Sequence, residues 1–315
     1  MKKAIIVGSE GQDGRFLYNL LLGKGYEVVG IDMHTVRCST ASNLPLVVDI
    51  SHADAVADLI RLIKPDEVYY LAAFHHSSED EQVENIELFK RSYNVHVVSL
   101  VNFLEAITKH SRETRLFYAA SSHIFGNPST AIQDENTPIN PNCIYGITKT
   151  DGLFTCRFYR DNYAIFTSVG ILYNHESPLR HERFVSRKII KGALAIKNGK
   201  QGKLILGDLN AEIDWGYAPD YVDAMHRMLN HHEPDDFVVA TGVMHTVREF
   251  TQLAFDFLGL DYRSYVEENP AIMTKKAYRR TGNPRKLMEL TGWRPSVDFG
   301  QMIRFMIAGE DQQDV

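Results

Sequence analysis

Lys3-Ala4-Ile5-Ile6-Val7-Gly8-Ser9-Glu10-Gly11-Gln12-Asp13-Gly14 is the stretch that decides the fold. A short β-rich apolar run enters three spaced glycines, and a helical pattern with Phe16, Leu17, Leu20, Leu21 and Leu22 follows. Strand, glycine turn and helix in that order predict a phosphate cradle. Glycines let the backbone approach a pyrophosphate, and the helix N-terminus offers free N–H groups and a positive dipole end. Gly8, Gly11, Gln12, Asp13 and Gly14 are therefore candidate dinucleotide-binding positions.

Outward from this turn, residues 27–31 read as a second strand ending at Asp32. A carboxylate there accepts hydrogen bonds from the adenosine ribose and repels a 2′-phosphate, which points to NAD over NADP. Arg37 is the competing residue, able to reach a 2′-phosphate if the loop folds back. Residues 46–48 read as a third strand ending at Asp49 and Ile50, where an acidic side chain would meet the adenine amino group. Residues 53–63 read as a helix and 67–71 as a fourth strand. That strand runs through Leu71 to Ala72 and Ala73, whose small side chains let the chain pass close to a cofactor, so all three are candidate cofactor positions. His75 and His76 follow without further metal ligands nearby, so one of them, His75, is a candidate to face substrate.

Residues 83–107 form a long amphipathic helical stretch. A fifth strand over 116–120 delivers Ser121, Ser122 and His123; the next helix carries Tyr145 and Lys149; residues 164–172 make a sixth strand. This alternation predicts an α/β fold with a Rossmann-type doubly wound parallel sheet. Beyond residue 172 the rhythm breaks into turns and short elements, which predicts a smaller mixed α/β C-terminal substrate domain over 173–315. It is interleaved with the NAD-binding domain (1–172) through return segments near 214–242.

Tyr145 and Lys149 stand four apart and project from one helix face. A phenol is a poor base at neutral pH, with a reference pKa of about 10. An ammonium beside it favours the phenolate, so the pair can move one proton. A hydroxyl from Ser121 or Ser122 can hydrogen-bond the same substrate oxygen. When a C–O–H becomes C=O, carbon gives up a hydride, and the protein's part is placement and proton management. Tyr145, Lys149, Ser121, Ser122 and His123 form the candidate catalytic set.

Composition narrows the alternatives. The chain has 315 residues and a net charge of −6, which argues against a nucleic-acid-binding face. Its apolar runs are too short to suggest a membrane span. Cys38, Cys143 and Cys156 are an odd, unpatterned set, which fits a reducing cytoplasm and no metal site. Positive charge gathers from Arg180 to Lys191, a grip suited to an anionic nucleoside diphosphate.

Several blocks resemble the extended short-chain dehydrogenase/reductase superfamily, and within it the GDP-mannose 4,6-dehydratase family. They are the glycine turn, Tyr145-Gly-x-x-Lys149, Asn174-His175-Glu176-Ser177-Pro178, Phe184-Val185-Ser186-Arg187-Lys188 and Asp214-Trp215-Gly216. The resemblance implies a GDP-sugar substrate, with Asn174 and Lys188 at the nucleotide and Phe184 and Val185 near the guanine. It also implies assembly as a homodimer or homotetramer. Three departures stand out. His123 occupies the place of the family's acid/base glutamate, and Ile213 that of an arginine, leaving Arg279 or Arg280 for the diphosphate. Asp32 lies where arginines more often read NADP. Oxidation at C4 needs only serine, tyrosine, lysine and NAD, whereas loss of water across C5 and C6 uses the missing carboxylate. The expectation is an NAD-dependent C4 oxidoreductase of a GDP-manno-configured hexose or heptose. A 4,6-dehydratase, a C4 epimerase and a non-catalytic NAD-binding regulator are the alternatives.

Overall fold

The computed structural model describes residues 1–40, 47–74, 83–272 and 279–311. In chain order these form β1 (Lys3–Val7), α1 (Gln12–Gly23), β2 (Glu27–Asp32), β3 (Thr35–Cys38), α2 (Ala53–Ile63), β4 (Glu67–Tyr70) and α3 (Asn85–Tyr93). A π-helical turn, Asn94–Val98, joins α3 to α4 (Ser99–His110). Next come β5 (Arg115–Ser121), β6 (Ile132–Gln133), α5 (Ile144–Tyr163), β7 (Thr167–Leu172), β8 (Asn174–Glu176), α6 (Val185–Lys197), β9 (Leu204–Leu206) and β10 (Glu212–Tyr217). The chain closes with α7 (Ala218–Leu229), β11 (Asp236–Val239), β12 (Met244–Thr246), α8 (Val247–Phe257), β13 (Val266–Glu268), β14 (Thr281–Gly282), α9 (Arg285–Thr291) and α10 (Phe299–Asp311).

The main sheet runs β11-β7-β5-β4-β1-β2-β3, parallel throughout except for the β2–β3 pair. Side chains alternate across it with period two. Ile5, Val7, Val29, Ile31, Val68, Tyr70, Leu116 and Tyr118 pack under α2, α4 and α5. Ala4, Ile6, Val28, Tyr69, Phe117 and Phe237 face the opposite layer, against Leu17 and Leu21 of α1 and Tyr221, Met225 and Met228 of α7. Both faces being covered, the strands are apolar almost without interruption, as a parallel sheet requires. The helix that carries Tyr145, α5, thus lies against the sheet with its first turn at the carboxyl ends of the strands, where such folds place ligands.

One expected strand is corrected. Of residues 46–48, 46 lies outside the described set, and Val47 and Val48 are in no ladder. The third strand is instead Thr35–Cys38, which folds straight back on β2 with Asp32 opposite Thr35. The Asp32 carboxylate accepts from the Met33 N–H at 2.9 Å and fixes the turn, so the chain reverses before it can cross to a parallel position. Val48 is still buried in the core beneath the sheet.

A third apolar cluster joins Ile189, Ala193, Leu206, Trp215, Phe250, Phe255, Met302 and Met306, drawn from α6, β9, β10, α8 and α10. β11 falls between β10 and α8 in sequence yet sits at the edge of the main sheet, paired with β7. Asp214 joins these regions: its buried carboxylate accepts from Thr241 N and Oγ1, Gly242 N and Gly282 N at 2.6–3.2 Å.

Candidate active site

Three segments meet at Tyr145. β5 ends on Ser121, whose hydroxyl accepts from the His123 N–H at 3.3 Å and is hydrogen-bonded to the Tyr145 side chain. A single 3-10 turn, Ser122–Phe125, then brings His123 edge-on to the phenol, ring centroids 5.7 Å apart. The Cys143 thiol caps α5 by accepting from the Gly146 N–H at 3.4 Å, which puts Tyr145 in the helix's first turn. One turn on, Lys149 is fully buried; its Nζ donates to the Ala119 carbonyl at 2.7 Å and lies 5.8 Å from the Tyr145 ring centre.

Electrostatics here differ from what the spacing suggests. Burial pushes the Tyr145 phenol up to about 12, and the cation that opposes it is Arg180 rather than Lys149. Burial also brings Lys149 down to about 7. Taking a single ammonium into the apolar helix–sheet interface disfavours its charged form more than neighbouring groups restore it.

His96 is a site residue that sequence reading missed. It sits on the π-helical turn and meets Tyr145 edge-on, centroids 5.4 Å apart. Its Nε2 accepts from the Phe74 N–H at 3.0 Å, which leaves the proton on Nδ1 to donate to Thr148 Oγ1 at 2.8 Å. The ring is therefore a neutral imidazole tying the end of the β4 segment to α5. Its one signal in the sequence is a lone polar residue among Val95, Val97 and Val98, since a buried polar group requires partners.

On the cofactor side, Gly8 has φ 91°, and a Cβ there would lie 2.8 Å from the Ala72 nitrogen. A Cβ on Gly14 would lie 2.6 Å from the Ser9 Cα. The glycine turn and the Leu71-Ala72-Ala73 segment thus pass in contact, with the Leu71 N–H on the Val7 carbonyl at 2.9 Å. These residues fit a dinucleotide: the turn is built from glycines whose neighbouring backbone leaves no room for a Cβ at Gly8 or Gly14, and no side chain caps the α1 N-terminus at Gly11. Asp32 stands at the end of β2, one oxygen accepting from the Glu10 N–H at 2.9 Å. Arg37, the candidate for a 2′-phosphate, lies over the Tyr18 ring at 4.3 Å. The Asp49 carboxylate accepts from Ser51 Oγ at 2.7 Å and its N–H at 2.9 Å, and the Ile50 carbonyl accepts from Asn102 at 3.0 Å. Gln12 and Asp13 turn their side chains to residues 175–177: Gln12 Nε2 donates to the His175 carbonyl at 3.1 Å, and Asp13 meets His175 Nε2 at 2.9 Å.

On the substrate side, Asn174 pairs with Trp215 in the β8–β10 ladder. Phe184 lies under the Arg180 guanidinium at 3.5 Å, and Arg180 reaches Glu176 at 3.3 Å. Val185 begins α6, and Lys188 borders a cavity of about 480 Å³ shared with Lys191, Lys200, Glu182 and Glu310. None of the residues around Tyr145 lines that cavity. Arg279 is mostly exposed and pairs with Glu212 at 2.8 Å, while Arg280 donates to the Gly126 carbonyl at 3.0 Å. His75 lies outside the described residues. Among the described residues no His, Cys, Asp and Glu cluster has metal-site geometry, and no helix is long and apolar enough to cross a membrane.

A doubly wound sheet with a glycine cradle after β1, a serine at the end of β5 and a Tyr-x-x-x-Lys helix beside it defines an extended short-chain dehydrogenase/reductase. Within that class, the family model for GDP-mannose 4,6 dehydratase matches residues 5–306, and the chain belongs to that family. GDP-mannose 4,6 dehydratase 2 of Arabidopsis thaliana is 38% identical to it, covering 97% of this chain and 86% of the relative. GDP-mannose 4,6-dehydratase of Vibrio cholerae is 31% identical, covering 97% and 93%. Among solved structures, dTDP-glucose 4,6-dehydratase of Bacillus anthracis in complex with NAD superposes with a TM-score of 0.82 at 19% identity, covering 100% of this chain and 98% of that one. UDP-glucose 4-epimerase of Thermus thermophilus with NAD gives 0.80 at 23% identity, covering 98% and 99%. At those identities the likeness is one of fold.

Proposed function

We propose that this protein is an NAD-dependent oxidoreductase that interconverts a C4 hydroxyl and a C4 ketone on a GDP-linked, manno-configured hexose or heptose, and releases the keto sugar without eliminating water. Bound in the glycine cradle, NAD supplies the hydride acceptor. Tyr145 takes the O4 proton, Ser121 holds O4 through the hydroxyl it already turns toward the phenol, Arg180 stabilises the phenolate, and Lys149 holds the nicotinamide ribose. Asn174, Phe184, Val185 and Lys188 hold the nucleotide. Residues 1–172 supply the cofactor half of the site and 173–315 the substrate half.

The observation that carries this reading is the imidazole of His123 against Tyr145, where a dehydratase needs a carboxylate. Abstracting the C5 proton and helping the C6 hydroxyl leave asks one group to act as base and then acid on adjacent carbons. The Asp13 carboxylate is committed to His175, and Glu176 accepts from Ser186 Oγ at 2.5 Å. The test is product analysis: incubate the protein with NAD and GDP-mannose or a GDP-manno-heptose and follow the C6 oxygen by NMR. A 4-keto product that keeps it supports the proposal; a 4-keto-6-deoxy product overturns it.

The second reading, a 4,6-dehydratase with His123 as its acid/base group, is favoured by the names of the relatives above. An exposed apolar stripe of Val98, Phe154, Phe158 and Tyr163 on the outer helices supports assembly as a homodimer or homotetramer.

A further inference from the structure

The seam between the dinucleotide cradle and the nucleotide-sugar segment is built from four side chains. Gln12 and Asp13 open α1, immediately after the glycine turn; His175 and Ser177 flank Glu176, next to Asn174. Three hydrogen bonds cross the seam besides the backbone: Gln12 Nε2 to the His175 carbonyl at 3.1 Å, Ser177 Oγ to Gln12 Oε1 at 2.7 Å, and His175 Nε2 to Asp13 Oδ2 at 2.9 Å.

The histidine's protonation follows from its partners. Its Nδ1 lies 2.7 Å from the Tyr173 carbonyl, which can only accept, so Nδ1 donates. Its Nε2 faces a carboxylate, so that nitrogen donates as well. The ring is an imidazolium in a buried ion pair, stacked on Tyr221 with centroids 4.5 Å apart and bordered by Arg180. Burial works against the charge, but Asp13 holds His175 above its ordinary value and His175 holds Asp13 below its own. Separating such a pair strands a charge out of water, so the two segments move together or not at all.

We infer that Asp13 and His175 are positioning residues that couple the two halves of the site, so that GDP-sugar and NAD each bind more tightly when the other is present. This rests on the proposed function for the identity of the ligands. Because the ion pair ties the two segments, a ligand that fixes one of them fixes the other as well, and the second ligand finds its half already placed. Coupling of this kind is reciprocal and typically amounts to a factor of about 5–150 in affinity.

Calorimetric titration of the whole protein tests this without turnover. GDP is titrated with and without saturating NADH, then NADH with and without saturating GDP, for the native chain, Asp13→Asn, His175→Asn and the double variant. The native chain should show the same enhancement, about fivefold or more, in both directions. Each single variant should lose the enhancement, read as the ratio of affinities with and without the second ligand so that any change in one ligand's own affinity cancels, and the double variant should lose no more than either single one. Independent binding in the native chain, or coupling that survives in both single variants, overturns the inference while leaving the proposed function standing. A native chain that binds neither ligand refutes the proposed function instead. Should the ion-pair variants not fold, Ser177→Ala removes one bond of the seam and should lower the enhancement; an unchanged value counts against the inference.

Discussion

His123 and Tyr145 cross at 89° with ring centroids 5.7 Å apart, and His123 Nδ1 lies 3.7 Å from the Cys143 thiol. The imidazole is thus held by its thiol neighbour with one edge toward the phenol. If the reaction stops at the ketone because no carboxylate stands here, His123→Glu should restore elimination. A 4-keto-6-deoxy sugar should then accumulate from GDP-mannose, detected as the C6 methyl signal in the proton NMR spectrum. A variant that still yields only a C6-oxygenated ketone would show that something else halts the reaction.

Tyr145 is the only proposed group that moves the O4 proton. Tyr145→Phe should lower kcat by about 10²-fold or more while leaving GDP and NADH affinity within a few-fold of native. Stopped-flow absorbance at the reduced-nicotinamide band reads the first effect and calorimetry the second. Retained turnover would move the chemistry to another residue.

Lys149 titrates at about 7 when folded, against an ordinary value of 10.5. Between those values the unfolded chain holds a proton that the folded protein has released. Stability therefore rises with pH across that window and falls as pH drops through it. Lys149→Met removes this linkage, so the Tm of the native chain minus that of the variant should increase from pH 7 to about pH 9. A difference that stays flat would mean that the ammonium remains charged in the fold. Turnover should fall by about 10²-fold at every pH.

Asp214 accepts four hydrogen bonds in a buried position, three from backbone N–H groups of two different segments. Asp214→Ala leaves those donors without a partner and should cost about 3–5 kcal/mol, measured by urea denaturation. Asp214→Asn keeps acceptors for part of the set and should cost less. Equal losses would show that the charge, not the hydrogen bonds, matters.

His96 bridges the Phe74 N–H and Thr148 Oγ1 while its ring edges Tyr145. His96→Ala should lower kcat by about tenfold or more, with KM for the GDP-sugar nearly unchanged, because the ring packs on Tyr145, the proposed base, and not on Asn174, Phe184, Val185 or Lys188, the proposed nucleotide contacts. A rise in KM with kcat intact would assign it to binding instead.

Much of this was legible locally. Lys3 to Gly14, Ser121-Ser122 and Tyr145 with Lys149 are short-range patterns whose meaning depends on strand and helix periodicity, and the strands and helices that carry them are the ones expected. Other readings failed because neither strand periodicity nor helix spacing records the deciding contact. The hairpin at Thr35–Cys38 depends on Asp32 turning onto its own backbone, and no periodic signal separates that from a later parallel strand. His96 reaches Tyr145 through a π-helical turn, which shifts side chains off the i, i+4 row that sequence reading assumes.

By itself, then, the sequence determined a parallel α/β sheet, a glycine cradle and a serine–tyrosine–lysine set, because each is written in neighbouring residues. Only the tertiary structure decided which charges act on which groups: that Arg180 rather than Lys149 opposes burial at the phenol, that Asp13 is spent on His175, and that a histidine from α3–α4 shares the site. Those outcomes are set by desolvation and by distances across the fold, and neither quantity exists until the chain has packed.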